Sequence, residues 1–194
     1  TDPSYFGQLI TFTYPEIGNT GINQQDNESD NPSVKGVIAR QFIDKPSNWR
    51  SSISLREWFE KEKLVGICGV DTRALVRHLR NFGAMNGVIT TESKYSLKDL
   101  QKQLLKTSSM KGLNLVNEVS TKKEFFWNSP CPIEFDQRIK KRTKKPYKVV
   151  AIDFGIKKAI LQRLVAHGCE INVLPSDSDF SKILSFNPEG IFFS

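Results

Sequence analysis

The sequence predicts an α/β protein in two parts: an N-terminal β/α domain and the opening of a doubly wound parallel sheet. Two observations carry this. From residue 147 onward, strands and helices alternate as β-α-β-α-β, and the first of the strands is a continuous apolar run. Ahead of that, short β-branched and aromatic stretches alternate with helices announced by capping residues, in a chain of 194 residues that is long enough to bury a core.

QLITFTY, residues 8–14, is strand-like, being rich in β-branched and aromatic side chains. Residues 15–33 carry Gly18, Gly21, several Asn and Asp, and Pro32, and read as a long loop. VKGVIARQF, residues 34–42, is a second strand. Ser54 opens a helix through the capping box SLRE, with Glu57 placed to return the hydrogen bond, and Leu55, Trp58 and Phe59 form its apolar face. Residues 64–70 fit a short strand. Asp71 caps the next helix, lined by Leu75, Leu79 and Phe82 and ended by Gly83. GAMNGVIT, residues 83–90, turns into another strand. Ser96 with Asp99 starts an amphipathic helix through Leu100, Leu104 and Leu105. Residues 125–145 show little periodicity and end in a basic run and Pro146, which marks a domain boundary.

The second part is more regular. YKVVAIDFG is a strand ending at Gly155. IKKAILQRLVAHG is a helix closed by Gly168. CEINVLP is a strand, DFSKILSF a short helix and GIFFS a third strand. Sheets of this kind bind ligands beyond the carboxyl ends of their strands.

Composition excludes several functions. No apolar run is long enough to span a membrane, and the first residues lack the basic and apolar regions of a signal peptide. Cys68, Cys131 and Cys169 are odd in number and widely spaced, giving neither a disulfide framework nor a metal-ligand pattern and favouring a reducing compartment. His78 and His167 each fall on a helix without a local metal partner. The net charge of +7 owes most to the six basic residues in RIKKRTKK, 138–145. No aromatic residues interleave with them, so a solvated linker is the better reading than a nucleic-acid site.

Motifs for chemistry are scarce. No G-x-G-x-x-G, P-loop or G-x-S-x-G elbow is present. Cys169 enters a strand after a helix-closing glycine and reads as a buried structural thiol, and Cys68 as core. Arg73 and Arg77 lie one helical turn apart and fit either a solvated surface or a partner contact. Asp2-Pro3-Ser4 is a ready turn.

Taken together, TDPSYFGQLITFTYPEIGNTGIN (1–23), SNWRSSISLREWF (47–59), GICGVDTRALVRHLRNFGAMNGVI (66–89) and VVAIDFGIKKAILQRLVAHGCEINVLP (149–175) resemble one family: the small, glutamine-hydrolysing subunit of carbamoyl-phosphate synthase. The resemblance covers nearly the whole chain and is weakest in the linker before Pro146. It implies an N-terminal small-subunit domain over 1–137, a basic linker over 138–147, and the truncated beginning of a doubly wound class I glutamine amidotransferase domain over 148–194. It implies a partner, the large synthetase subunit, which uses ATP and Mg, and a substrate, L-glutamine, split by a Cys-His-Glu triad to supply ammonia for carbamoyl phosphate in arginine and pyrimidine synthesis. The family pattern runs beyond both ends of this sequence, so a partial chain is expected, with no catalytic residue, metal ligand or cofactor of its own.

One substrate-binding residue is implied within the chain. The Ser of T-D-P-S-Y reaches the glutamine site in the family, which maps onto Ser4. The implied location is a bacterial cytoplasm or a plastid stroma. A non-catalytic module that docks on the large subunit is the main alternative, and a nucleic-acid binder resting on charge alone is the remoter one.

Overall fold

The structure, a computed structural model, describes residues 1–131 and 145–194. By contact the chain gathers into two units. The first holds Thr1, Tyr5–Asn27 and Asn31–Leu113; the second holds Asp2–Ser4, Glu28–Asp30 and Asn114–Ser194. The expected boundary at 138–147 falls mostly outside the described residues.

In the first unit, β1 (Leu9–Thr11), β3 (Gly36–Ile38) and β5 (Val65–Ile67) form a parallel sheet in the order β1-β3-β5. Ile10 pairs with Val37, and Val37 with Gly66. β2 (Glu16–Ile17) and β4 (Gln41–Phe42) make a separate parallel pair. The segment 34–42 is therefore not one strand. It divides after Ile38, where Ala39 is fully buried and the Arg40 carbonyl accepts from the Gly69 amide, and the chain leaves one sheet for the other. The stretch read as a long loop supplies β2 and a 3-10 turn, Gln24–Asp26, capped by the Asn23 side chain.

The helices follow their caps. α1 (Leu55–Lys61) carries the full Ser54–Glu57 capping box. α2 (Thr72–Phe82) is capped by Asp71 and closed by Gly83, whose amide donates to the Leu79 carbonyl. α3 (Leu97–Lys106) carries the Ser96–Asp99 box. Their apolar faces are narrower than the sequence suggests: Phe82 and Leu105 are exposed, and so is Cys68, read above as core. Residues 83–90 form no strand. Ile89 instead lies over the sheet, its Cδ1 3.2 Å from where a Cβ on Gly36 would stand, and a chain crossing the face cannot join the edge ladder.

α1 ends in a Schellman turn. The Leu64 amide donates to the Phe59 carbonyl at 2.9 Å and the Lys63 amide to Glu60 at 3.3 Å. Lys63 occupies the left-handed position, with φ +51°, where glycine is the usual residue.

In the second unit, β7 (Tyr147–Asp153), β8 (Cys169–Pro175) and β9 (Gly190–Phe193) are mutually parallel, and β6 (Phe125–Trp127) adds antiparallel to β8, giving β6-β8-β7-β9. β6 is a strand where the sequence shows no periodicity, because three residues are too few for alternation to register. A short helix, α4 (Val116–Val119), precedes it. Two apolar layers clasp the sheet. Ala151, Ile171 and Val173 pack with Ile156 and with Leu161 of α5 (Lys158–Ala166). Val150, Ile152 and Leu174 pack with Ile183 of α6 (Phe180–Ser185). A helix on each layer of a parallel sheet requires strands that are apolar throughout, which accounts for the unbroken run VVAI in β7. Each fully buried side chain here contributes roughly 1.5–3 kcal/mol.

Candidate functional site

The carboxyl end of β7 gathers the polar groups of the second unit. Asp153 closes the strand with its carboxylate buried and fully used. Its Oδ1 accepts from the amides of Gly155 and Ile156, both at 2.8 Å, and its Oδ2 from the Thr121 amide at 2.7 Å. This turns the chain sharply from strand toward α5. Beside it the Phe154 amide donates to the Ser194 hydroxyl at 2.8 Å.

Gly155 takes φ +108°, and a Cβ there would stand 3.0 Å from Val119 Cγ2 and 3.3 Å from Pro3 Cβ. Pro3 is buried in this contact, which seats the turn Pro3–Tyr5 at the strand end. Lys157 Nζ lies 2.6 Å from Asp2 Oδ2. The Ser4 amide donates to Asp2 Oδ1 at 2.9 Å, and the Ser4 hydroxyl also bonds this carboxylate. Burial pushes the Asp2 carboxyl upward, but the hydrogen bonds from Lys157 and Ser4 and the Lys157 charge outweigh it and hold the group below its usual value. Ser4 itself is exposed.

α5 has no cap of its own, since Lys157 at its N-cap position offers no acceptor. Glu28 fills the vacancy: its carbonyl accepts from the Lys158 amide at 3.0 Å and its Oε2 from the Ala159 amide at 2.9 Å. A carboxylate at a helix N-terminus also complements the helix dipole. Asp30 pairs with the Lys158 ammonium.

The structure thus places Ser4 at the strand end where ligands of parallel sheets bind, on a turn pinned by Asp2 and Pro3. The Asp2 carboxylate takes the hydrogen of this hydroxyl, which leaves its oxygen lone pairs to accept from a polar ligand. The other residues weighed from sequence stand apart from it. Arg73 and Arg77 are exposed on α2. His78 lies in α2 against the Phe82 ring, and His167 caps the C-terminal end of α5. Cys169 starts β8 half-buried, and burial pushes its thiol up, away from the thiolate a nucleophile needs. Among the described residues no group of His, Cys, Asp and Glu is arranged to hold a metal ion. Sequence reasoning did not single out Lys157 or Glu28; their partners are far away in the chain, and no local pattern marks them.

Comparison with known proteins adds an independent line. The family described as carbamoyl-phosphate synthase small chain, CPSase domain, matches residues 1–89. A carbamoyl phosphate synthase small chain of Parasynechococcus marenigrum is 59% identical over 194 residues, covering 100% of this chain and 50% of the relative. The Thermosynechococcus vestitus small chain is 48% identical, with 100% and 51% covered, and that of Pyropia yezoensis 41% identical with the same coverage. The chain spans about half the length of the curated relatives it matches. By sequence the chain is similar to the carbamoyl phosphate synthase small chains: the CPSase-domain family model matches residues 1–89, and the relative from Parasynechococcus marenigrum aligns over all 194 residues.

Proposed function

We propose that this sequence is part of the glutamine-hydrolysing small subunit of a carbamoyl-phosphate synthase, and that 148–194 begin its class I glutamine amidotransferase domain. The observation that carries the reading is identity with small chains along the whole chain, 59% in one relative. The parallel β7–β9 sheet, with Ser4 pinned at its carboxyl end, supports it. In this reading a thiolate outside these 194 residues attacks the side-chain amide of glutamine. A thioester forms and ammonia leaves, and water then releases glutamate. Ser4 contributes substrate binding. The large synthetase subunit takes up the ammonia and, with ATP, Mg and bicarbonate, forms carbamoyl phosphate for arginine and pyrimidine synthesis, in a bacterial cytoplasm or a plastid stroma.

The test uses the full-length protein mixed with a large subunit. Carbamoyl phosphate made from glutamine is compared with that made from ammonium salt. The reading expects glutamine-dependent synthesis that requires both proteins. Ammonia-dependent synthesis by the large subunit with no gain on adding this protein and glutamine would overturn it. The 194 residues alone are expected to release no ammonia above the buffer blank, and to act at most as a docking module. Retention on DNA that weakens with salt would favour a nucleic-acid role instead.

A further inference from the structure

A cleft of about 400 Å³ opens in the first unit between α1 and strands β4 and β5, within the size range of small-ligand sites. Its floor is apolar. Phe42 and Phe59 meet edge to face, 5.5 Å between centroids at 81°, with Leu55 and Leu64 beside them. Gly66 lets the two rings close: a Cβ there would stand 2.7 Å from Phe59 Cε2 and 2.9 Å from Phe42 Cε2.

The mouth is charged. Arg56 is occupied by Asp44, Nε to Oδ1 at 3.0 Å and Nη2 to Oδ2 at 3.1 Å. Glu60, one helical turn on from Arg56 and within the field of its guanidinium, and Lys63 also line the cleft. They lie one helical turn apart, joined by the Lys63 amide to Glu60 carbonyl bond. The rim therefore offers one carboxylate and one ammonium above an aromatic floor. Independently, Lys63 stands at a left-handed position that glycine would fill with less strain. The turn therefore carries this ammonium at a backbone cost.

We propose that this cleft binds a free apolar α-amino acid. The side chain rests on Phe42, Phe59 and Leu64, the α-ammonium faces Glu60 and the α-carboxylate faces Lys63. The complement of the rim is a molecule with an apolar body and opposite charges on one carbon. Glutamine lacks the apolar body, so this site is separate from the one proposed above and does not depend on it.

The experiment is calorimetric titration of the full-length protein with L-phenylalanine, L-phenylalanine amide and 3-phenylpropionate. L-Phenylalanine is expected to bind saturably at millimolar concentration, and each analogue, missing one charge, a few-fold to about tenfold more weakly. The Lys63→Gly variant, expected to be at least as stable as the parent, should bind the acid no better than the amide. Glu60→Gln should likewise lose the preference for L-phenylalanine over 3-phenylpropionate. No saturable heat with L-phenylalanine would overturn the proposal. So would equal affinity for all three ligands, or a Lys63→Gly variant that still prefers the acid. A urea titration of the same variant separates loss of binding from loss of the fold.

Discussion

Asp2 and Lys157 meet at 2.6 Å although they are far apart in the chain, and the contact fixes the turn that carries Ser4 to the carboxyl end of β7. The carboxyl is held below its usual pKa, so its stabilising contribution is complete above the unfolded value near 3.9 and disappears as pH falls through the lower folded value. Asp2→Asn should therefore destabilise the protein at pH 7 and do so progressively less below about pH 4. The Lys157 side chain is 37% exposed and that of Asp2 18%, so solvent screens the pair in part and about 0.2–1 kcal/mol is expected. Parallel pH-dependent melts of parent and variant that fail to converge in acid would contradict this.

Ser4→Ala is expected to raise KM for glutamine a few-fold to about tenfold in the full-length protein, the effect of one lost neutral hydrogen bond, with kcat nearly intact. Ammonia-dependent synthesis should not change. If the hydroxyl only stiffens the turn through Asp2, the variant instead shows an unchanged KM and a lower melting temperature. Both quantities are measured on the same variant.

Lys63→Gly should stabilise the first unit. A left-handed conformation costs an ordinary residue roughly 1–2 kcal/mol, and the freer unfolded chain of glycine takes back roughly 0.4–1, leaving a gain between roughly 0 and 1.6 kcal/mol. Urea titration resolves a shift of that size. A fall in the midpoint would show that the lysine side chain contributes more than its backbone costs.

Asp153→Ala leaves three amides without their acceptor, one of them, on Ile156, buried. A loss of roughly 2–4 kcal/mol is expected. Asp153→Asn keeps an acceptor for Gly155 and Ile156 but turns an amide toward the Thr121 donor, and should fall between parent and alanine. A melting curve for the alanine variant that overlays the parent would refute the account of this turn.

The parts of this fold visible in the sequence are those decided by neighbours within four residues. Ser54 with Glu57, Ser96 with Asp99, Asp71 and Gly83 act on their own helices, so their identity is enough. In the second unit β7 was legible from its unbroken apolar run VVAI. What escaped depends on distant partners. Residues 34–42 are one run of β-formers, and only the competing pairings with β1, β5 and β2 divide them. β6 exists because β8 offers an open edge. In the site, Ser4 was singled out through a family resemblance, whereas the Asp2–Lys157 and Glu28–Ala159 contacts join segments that no spacing rule connects.

The cap that Glu28 provides for α5 also sets an order of events during synthesis. Glu28 and Ala159 are separated by 131 positions. At about 5–20 residues per second, a translating ribosome needs roughly 7–26 seconds between making one and the other. Until Ala159 emerges, the segment 28–30 has nothing in the second unit to close upon. Closing so long a loop is an entropic cost that local helix formation cannot offset beforehand, so the second unit is completed late and slowly compared with helices that carry their own caps.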